Sequence, residues 1–184
     1  MYRYSSMKLS FLLILTLLVA SPLGAETVFL KPSEALKLIF KDSKEIVSES
    51  KTLTVEEMGR FEKKLGQPVV KDRWNFYIAK TDSRIDGYAV IDNEVGKTEP
   101  ITFLTAVTPE GRVKAVEVLV YREPIGGEVK DKRFLKQYNG KTMADPVRTG
   151  QDINNISGAT LSSRAISRGV KRDLVLWNHF YGKK

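Results

Sequence analysis

The chain has 184 residues, enough for one domain with a real core and a short accessory segment. Its apolar and charged fractions, 42% and 28%, are those of a globular protein and exclude disordered and fibrous classes. Cysteine is absent, which excludes disulfides, iron–sulfur clusters, thiolate metal sites, cysteine nucleophiles and acylated lipoprotein anchors. The formal net charge is +8, and setting aside Arg3 and Lys8, the only charges before Glu26, leaves +6. A solvated surface accounts for that charge, which would also suit contact with anionic lipid or an acidic partner. Nucleic acid is not an expected partner, because the basic residues are not interleaved with aromatics and form no known module.

Residues 1–25 read as a secretory signal peptide. Arg3 and Lys8 precede an apolar run over residues 9–20, followed by Ser21-Pro22-Leu23-Gly24-Ala25. A basic start, a short apolar stretch and a small residue before polar sequence make that pattern, with cleavage expected after Ala25. An uncleaved membrane anchor is the alternative, since residues 9–25 carry no charge. A spanning helix needs roughly 20 apolar residues, and this run is shorter and contains Pro22 and Gly24. The expected location is exported, periplasmic or otherwise outside the cytoplasm, with membrane attachment if the segment is retained.

Residues 26–73 are expected to be a helical N-terminal segment. Ser33 can cap a short helix through Phe40, and Thr54 begins a second. Thr54 and Glu57 have capping-box spacing, and Gly66 is the expected stop. Residues 74–184 are expected to form the main domain. There the period changes to two: Trp74, Phe76 and Ile78 alternate with Asn75, Tyr77 and Ala79. Further strands are expected over residues 87–91, 101–107 and 113–120. Thr108-Pro109-Glu110-Gly111 has type I turn chemistry and should join the last two as a hairpin.

After Tyr121 comes the loop Glu123-Pro124-Ile125-Gly126-Gly127-Glu128, then a short helix around residues 131–138. The final element is a helix with Ile166, Val170, Leu174 and Trp177 on its apolar face and Arg164, Arg168, Lys171 and Arg172 off it. The fold class that follows is α+β, a twisted antiparallel sheet packed by helices.

One stretch stands out chemically, Asn154-Asn155-Ile156-Ser157-Gly158-Ala159-Thr160-Leu161-Ser162-Ser163. It is a small-residue turn running into the last helix. The hydroxyls of Ser157, Thr160, Ser162 and Ser163 surround a helix start, where free N–H groups and the dipole favour an anion. On residue types alone, a capped helix start preceded by a glycine turn is the better explanation.

The run from Ser157 to Ser163 resembles the flavinylation motif of the FMN-binding domain family. That family includes the C subunit of sodium-pumping NADH:quinone reductase and the G subunit of the Rnf complex. Its pattern is Asp or Asn, two variable residues, Ser or Thr, then Gly-Ala-Thr or Gly-Ala-Ser. Here Asn154, Ser157, Gly158, Ala159 and Thr160 hold those places, with Asn154 where the family more often has Asp. The resemblance runs from about residue 87 to 177. It implies FMN joined through its phosphate to the Thr160 hydroxyl by a flavin transferase that uses FAD and magnesium.

In the family, a Glu-Thr-Pro-Gly loop lies near the flavin ring, and Glu123 and Gly126 sit in the similar, shortened loop here. The resemblance therefore implies cofactor contacts from Asn154, Ser157, Gly158, Ala159, Thr160, Ser163, Glu123 and Gly126, with no metal site. It also implies electron transfer with a membrane reductase or other redox protein. The alternatives are a flavin-dependent reductase acting on a small substrate and a module that holds FMN without redox work. His179, the lone histidine, is expected at the surface. Trp74, Tyr77, Tyr88 and Tyr121 could stack on a flavin, but aromatic residues on strands are more often core.

Overall fold

The computed structural model describes residues 26–182, so the signal segment expected over residues 1–25 lies outside the described residues. In chain order the elements are β1 (Thr27–Val28), α1 (Pro32–Ile39), β2 (Glu45–Thr52), α2 (Val55–Leu65), β3 (Arg73–Thr81), β4 (Arg84–Val95), β5 (Pro100–Val107) and β6 (Val113–Tyr121). Two 3-10 turns, Gly127–Lys130 and Lys136–Tyr138, flank the one-turn helix α3 (Lys132–Leu135), and α4 (Thr160–Tyr181) closes the chain. Six strands form one antiparallel sheet in the order β1-β6-β5-β4-β3-β2. The expected α+β class is borne out.

Both faces of the sheet are covered, which is why β5 reads almost continuously apolar. Ile101, Phe103 and Val107 point to a large core shared with α2, α3 and α4, while Leu104 and Ala106 join Ala35, Leu36 and Phe40 beneath α1. α4 supplies Ile166, Val170 and Leu174, all fully buried. It approaches β5 closely because Gly169 has no Cβ; one there would run into the Phe103 ring. The β5–β6 turn closes through Gly111 N–H on the Thr108 carbonyl at 3.0 Å, as its sequence suggests.

Four details differ from the sequence reading. The N-cap of α1 is Lys31, because Pro32 takes the first helical position that suits its fixed φ. The second strand runs Arg84–Val95, well beyond residues 87–91. The stretch 26–73 holds the two expected helices, with the Thr54–Glu57 box and a left-handed Gly66 cap, but also β1 and β2. β2 is an edge strand of mostly polar sequence paired along its length with β3.

The fourth difference is Arg172, read as off the apolar face but in fact buried. β4 directs Asp92 at α4 from the same face as Tyr88 and Val90. The Arg172 guanidinium bonds Asp92 Oδ2 through Nε at 3.0 Å and Nη2 at 2.5 Å, and it also bonds Glu94. Burial opposes the Arg172 charge, but the two carboxylates outweigh it and leave its affinity for the proton raised. Lys71 reaches Asp92 Oδ1 at 2.8 Å over the Trp74 ring.

Candidate functional site

The chain enters the site along a fixed track. The Gln137 side chain brackets Asn154: its Oε1 accepts from the Asn154 N–H at 2.7 Å, and its amide donates back to the Asn154 carbonyl at 3.4 Å. Residues 156–159 then reverse direction. Ala159 N–H donates to the Ile156 carbonyl at 3.1 Å, with Gly158 between them at φ +83°. A type II turn needs positive φ at that place, and glycine supplies it without a steric penalty. The turn carries the chain directly into α4, whose first helical residue is Thr160.

The head of α4 is therefore open to a ligand. Ser163 N–H is the first to find an intrahelical acceptor, the Ala159 carbonyl at 2.8 Å. The N–H groups of Thr160, Leu161 and Ser162 precede it and have no carbonyl of their own helix to meet. Space above Gly158 is free of other atoms to 4 Å from where a Cβ would stand, so the backbone can be approached closely. The Thr160 side chain is half-buried, and its Oγ1 accepts a 2.8 Å hydrogen bond from the Asn155 side-chain amide.

A cleft of about 300 Å³ lies against this helix head. Gly158, Ala159, Thr160, Leu161 and Ser162 form one wall, and Lys97, Glu123, Pro124 and Ile125 form the other. Leu161 and Ile125 are exposed apolar lips, 47% and 75% accessible. The two walls are tied by Tyr121, whose hydroxyl donates to the Ile125 carbonyl at 2.6 Å and lies 2.9 Å from Ser162 Oγ. Gly126, at φ +96°, leaves room for that contact; a Cβ there would sit 2.6 Å from the Tyr121 hydroxyl and 2.9 Å from Ser162 Oγ.

Glu123 is buried, and its carboxylate is fully engaged. Oε1 accepts from the backbone N–H groups of Lys97, Thr98 and Glu99 at 2.5, 2.6 and 3.0 Å, and Oε2 accepts from Thr98 Oγ1 at 3.1 Å. Burial works against its ionisation, but the backbone donors outweigh it and hold the carboxyl below its ordinary range. The carboxylate thus acts as a clamp on the β4–β5 connection and sets Lys97 at the cleft.

Of the eight residues expected at the site, Gly158, Ala159, Thr160 and Glu123 line the cleft, and Gly126 packs immediately behind it. Ser163 is turned inward, its Oγ donating to the Ala159 carbonyl at 2.9 Å. Asn154 and Ser157 are exposed and lie outside the cleft lining. Lys97, Ile125, Leu161 and the Tyr121–Ser162 tie were not expected. A large apolar residue beside Gly126 and another among the hydroxyls of the motif were the available signal for the lips; nothing local pointed to Lys97. Trp74, Tyr88 and Tyr121 are core residues, Tyr77 is half-buried, and His179 Nε2 lies 3.1 Å from Glu57. Among the described residues, no group of three or more His, Asp or Glu is placed to hold a metal ion.

Residues 96–175 of this chain match the family model of the FMN-binding domain, the class that the Ser157–Ser163 motif resembles. Among curated proteins it is similar to the G subunit of the proton-translocating ferredoxin:NAD(+) oxidoreductase complex of Clostridium ljungdahlii, with 28% identity over 123 residues. That alignment covers 62% of this chain and 66% of the relative, just under two thirds of the relative's length. Among solved structures it is similar in fold to NqrC of Shewanella oneidensis, at TM-score 0.52 and 17% identity, over 75% of this chain and 81% of that one.

The residues present fit FMN. A tethering hydroxyl, unpaired N–H groups at a helix head and a lysine suit a phosphate, and two apolar lips suit a flat ring system.

Proposed function

We propose that this chain is an exported electron-transfer flavoprotein whose FMN is esterified through its phosphate to Thr160 and which works with a membrane redox system. The observation that carries the reading is the placing of Thr160. Its hydroxyl stands at the open head of α4, on the wall of the cleft, after a turn that only glycine makes cheaply. When bound, FMN supplies transfer of one or two electrons. The protein supplies attachment at Thr160 Oγ1, positive potential from the α4 head and Lys97, and an apolar seat between Ile125 and Leu161. The kinship with a component of a ferredoxin:NAD(+) oxidoreductase complex supports a membrane redox partner. The carrier reading is favoured over a reductase acting on a small substrate because Glu123, the one carboxylate among the described residues lining the cleft, is spent on the 97–99 turn. Export follows from the N-terminal sequence, and maturation requires a flavin transferase.

Co-expression with such a transferase in an exporting host should give a yellow protein. Its colour should survive denaturation, and its mass should exceed that of the apoprotein by FMN less one water. Thr160→Ala should lose both properties, and a denaturation-resistant flavin in that variant would refute the assignment. Dithionite-reduced holoprotein should be reoxidised by many small acceptors without saturation; selective, saturable turnover of one organic substrate would establish the reductase instead.

A further inference from the structure

The geometry points to Asn155 as the positioning residue for flavin attachment, holding the Thr160 hydroxyl in the rotamer that presents its proton outward; this rests on Thr160 being the acceptor. Asn155 is exposed and five residues before Thr160, and only the 156–159 reversal brings the two together. Its amide Nδ2 donates to Thr160 Oγ1 at 2.8 Å. Threonine in a helix divides between two χ1 wells, because its hydroxyl can turn back to a preceding carbonyl. A donor fixed on Oγ1 favours one well and occupies one lone pair. The hydroxyl's own proton is then left to point away from Asn155, toward solvent and an approaching transferase.

That orientation is what ester formation needs. In the step, Thr160 Oγ1 bonds to the flavin-side phosphorus of FAD, and the pyrophosphate P–O bond breaks. AMP leaves, and the hydroxyl proton passes to solvent or to the departing phosphate. No electrons change hands. An asparagine suits the task better than aspartate, because an ionised carboxylate can only accept. Aspartate in its place would draw the hydroxyl proton inward, out of reach of the transferase, and its negative charge would oppose the approach of the pyrophosphate.

The test is steady-state flavinylation of the full-length exported protein by a transferase, with FAD and Mg²⁺, followed by intact mass. The variants are Asn155→Ala, which removes the donor, and Asn155→Asp, which keeps the shape and reverses the polarity. Both should fold with unchanged thermal midpoints, since the side chain is exposed. Each should lower kcat by about tenfold while KM for the acceptor protein stays within twofold, as expected when a reacting group is misaligned rather than poorly bound. Wild-type rates in both variants would overturn the inference. So would a loss residing in KM, or a wild-type rate in Asn155→Asp alone, which would make shape the requirement. A wild-type chain that gains no flavin mass at Thr160 would overturn the attachment reading beneath it.

Discussion

Along α4, the first turn and the turns around Arg172 are built from opposite materials. The first turn is hydroxylated apart from the exposed Leu161, leaves its N–H groups open and presents Thr160 half-exposed on a cleft. Twelve residues on, Arg172 is locked into Asp92 and Glu94, Asp173 is fully buried, and Trp177 packs edge-on to Tyr88 at 5.8 Å. One continuous helix thus carries an open, hydroxyl-bearing end on a rigid shaft. Mutations should divide accordingly: changes at the head should alter chemistry and spare the fold, and changes along the shaft should do the reverse.

The largest effect should come from breaking the shaft's ion pairs. Asp92→Ala leaves the buried Arg172 guanidinium bonded to Glu94 and the Asn93 carbonyl and strands Lys71, and loss of one partner of a buried pair typically costs about 3–5 kcal/mol. Thr160→Ala should stay within about 0.5 kcal/mol of wild type while losing all attached flavin, as surface substitutions away from packed features do. Chemical denaturation of both apoproteins makes the comparison. A marginal loss in Asp92→Ala would show that Glu94 and the Asn93 carbonyl suffice for Arg172. A large loss in Thr160→Ala would erase the division between head and shaft.

Leu174→Ala tests the same shaft through packing. Leu174 is fully buried, and truncating a buried leucine costs about 2–5 kcal/mol. Any loss of flavin should track the unfolded fraction. Flavin loss at a temperature where the variant remains folded would mean that the shaft also tunes the head.

Asp173 offers a smaller effect with a sign. Its Oδ2 meets Thr105 Oγ1 at 2.7 Å, while burial, and then the nearby Asp92 charge, push its carboxyl well above the ordinary range. Such a raised group stabilises fully below its unfolded pKa, and its contribution is lost as pH rises toward the folded value. Asp173→Asn removes that titration and keeps a side chain able to donate to or accept from Thr105. The variant should therefore gain stability relative to wild type as pH rises from 4 to 8. Thermal midpoints across that range measure it, and a constant difference would show that Asp173 is ionised in the fold.

The motif turn could be read directly because it is local. Gly158's φ, the 156–159 reversal and the Thr160 helix start all depend on neighbours within a few residues, as does the Thr54–Glu57 cap. The opposite wall was hidden. Lys97 reaches the cleft only because Glu123, 26 residues later, clamps its turn, and no periodic pattern encodes that pairing. Arg172 was misread for a similar reason. Apolar periodicity sorts charges outward by default, and only β4, 80 residues earlier, supplies the carboxylate that lets this one stay inside. β2 escaped because an edge strand with polar alternation buries little and so imprints little.

The smallest predicted effect tests the join between the two walls of the cleft. Tyr121 belongs to β6, its hydroxyl donates to the Ile125 carbonyl, and the same oxygen pairs with Ser162 on the head of α4. Tyr121→Phe keeps the ring and its stacking on Phe29 but removes both bonds. Ser162 Oγ and the Ile125 carbonyl then lose one partner each. Ile125 is exposed and its carbonyl can turn to water, whereas Ser162 is buried. The net cost should be about 1 kcal/mol, the ordinary worth of one intramolecular hydrogen bond. Attachment should continue, because Thr160, Asn155 and the 156–159 turn are untouched. What should change is the lip. With Ile125 released from the helix head, flavin fluorescence should become more accessible to a small quencher such as iodide, at equal flavin content. Unchanged quenching would show that Pro124 and the Glu123 clamp hold the loop unaided. Loss of attachment would show that the two walls must be joined before the transferase can act, placing the loop within the attachment apparatus.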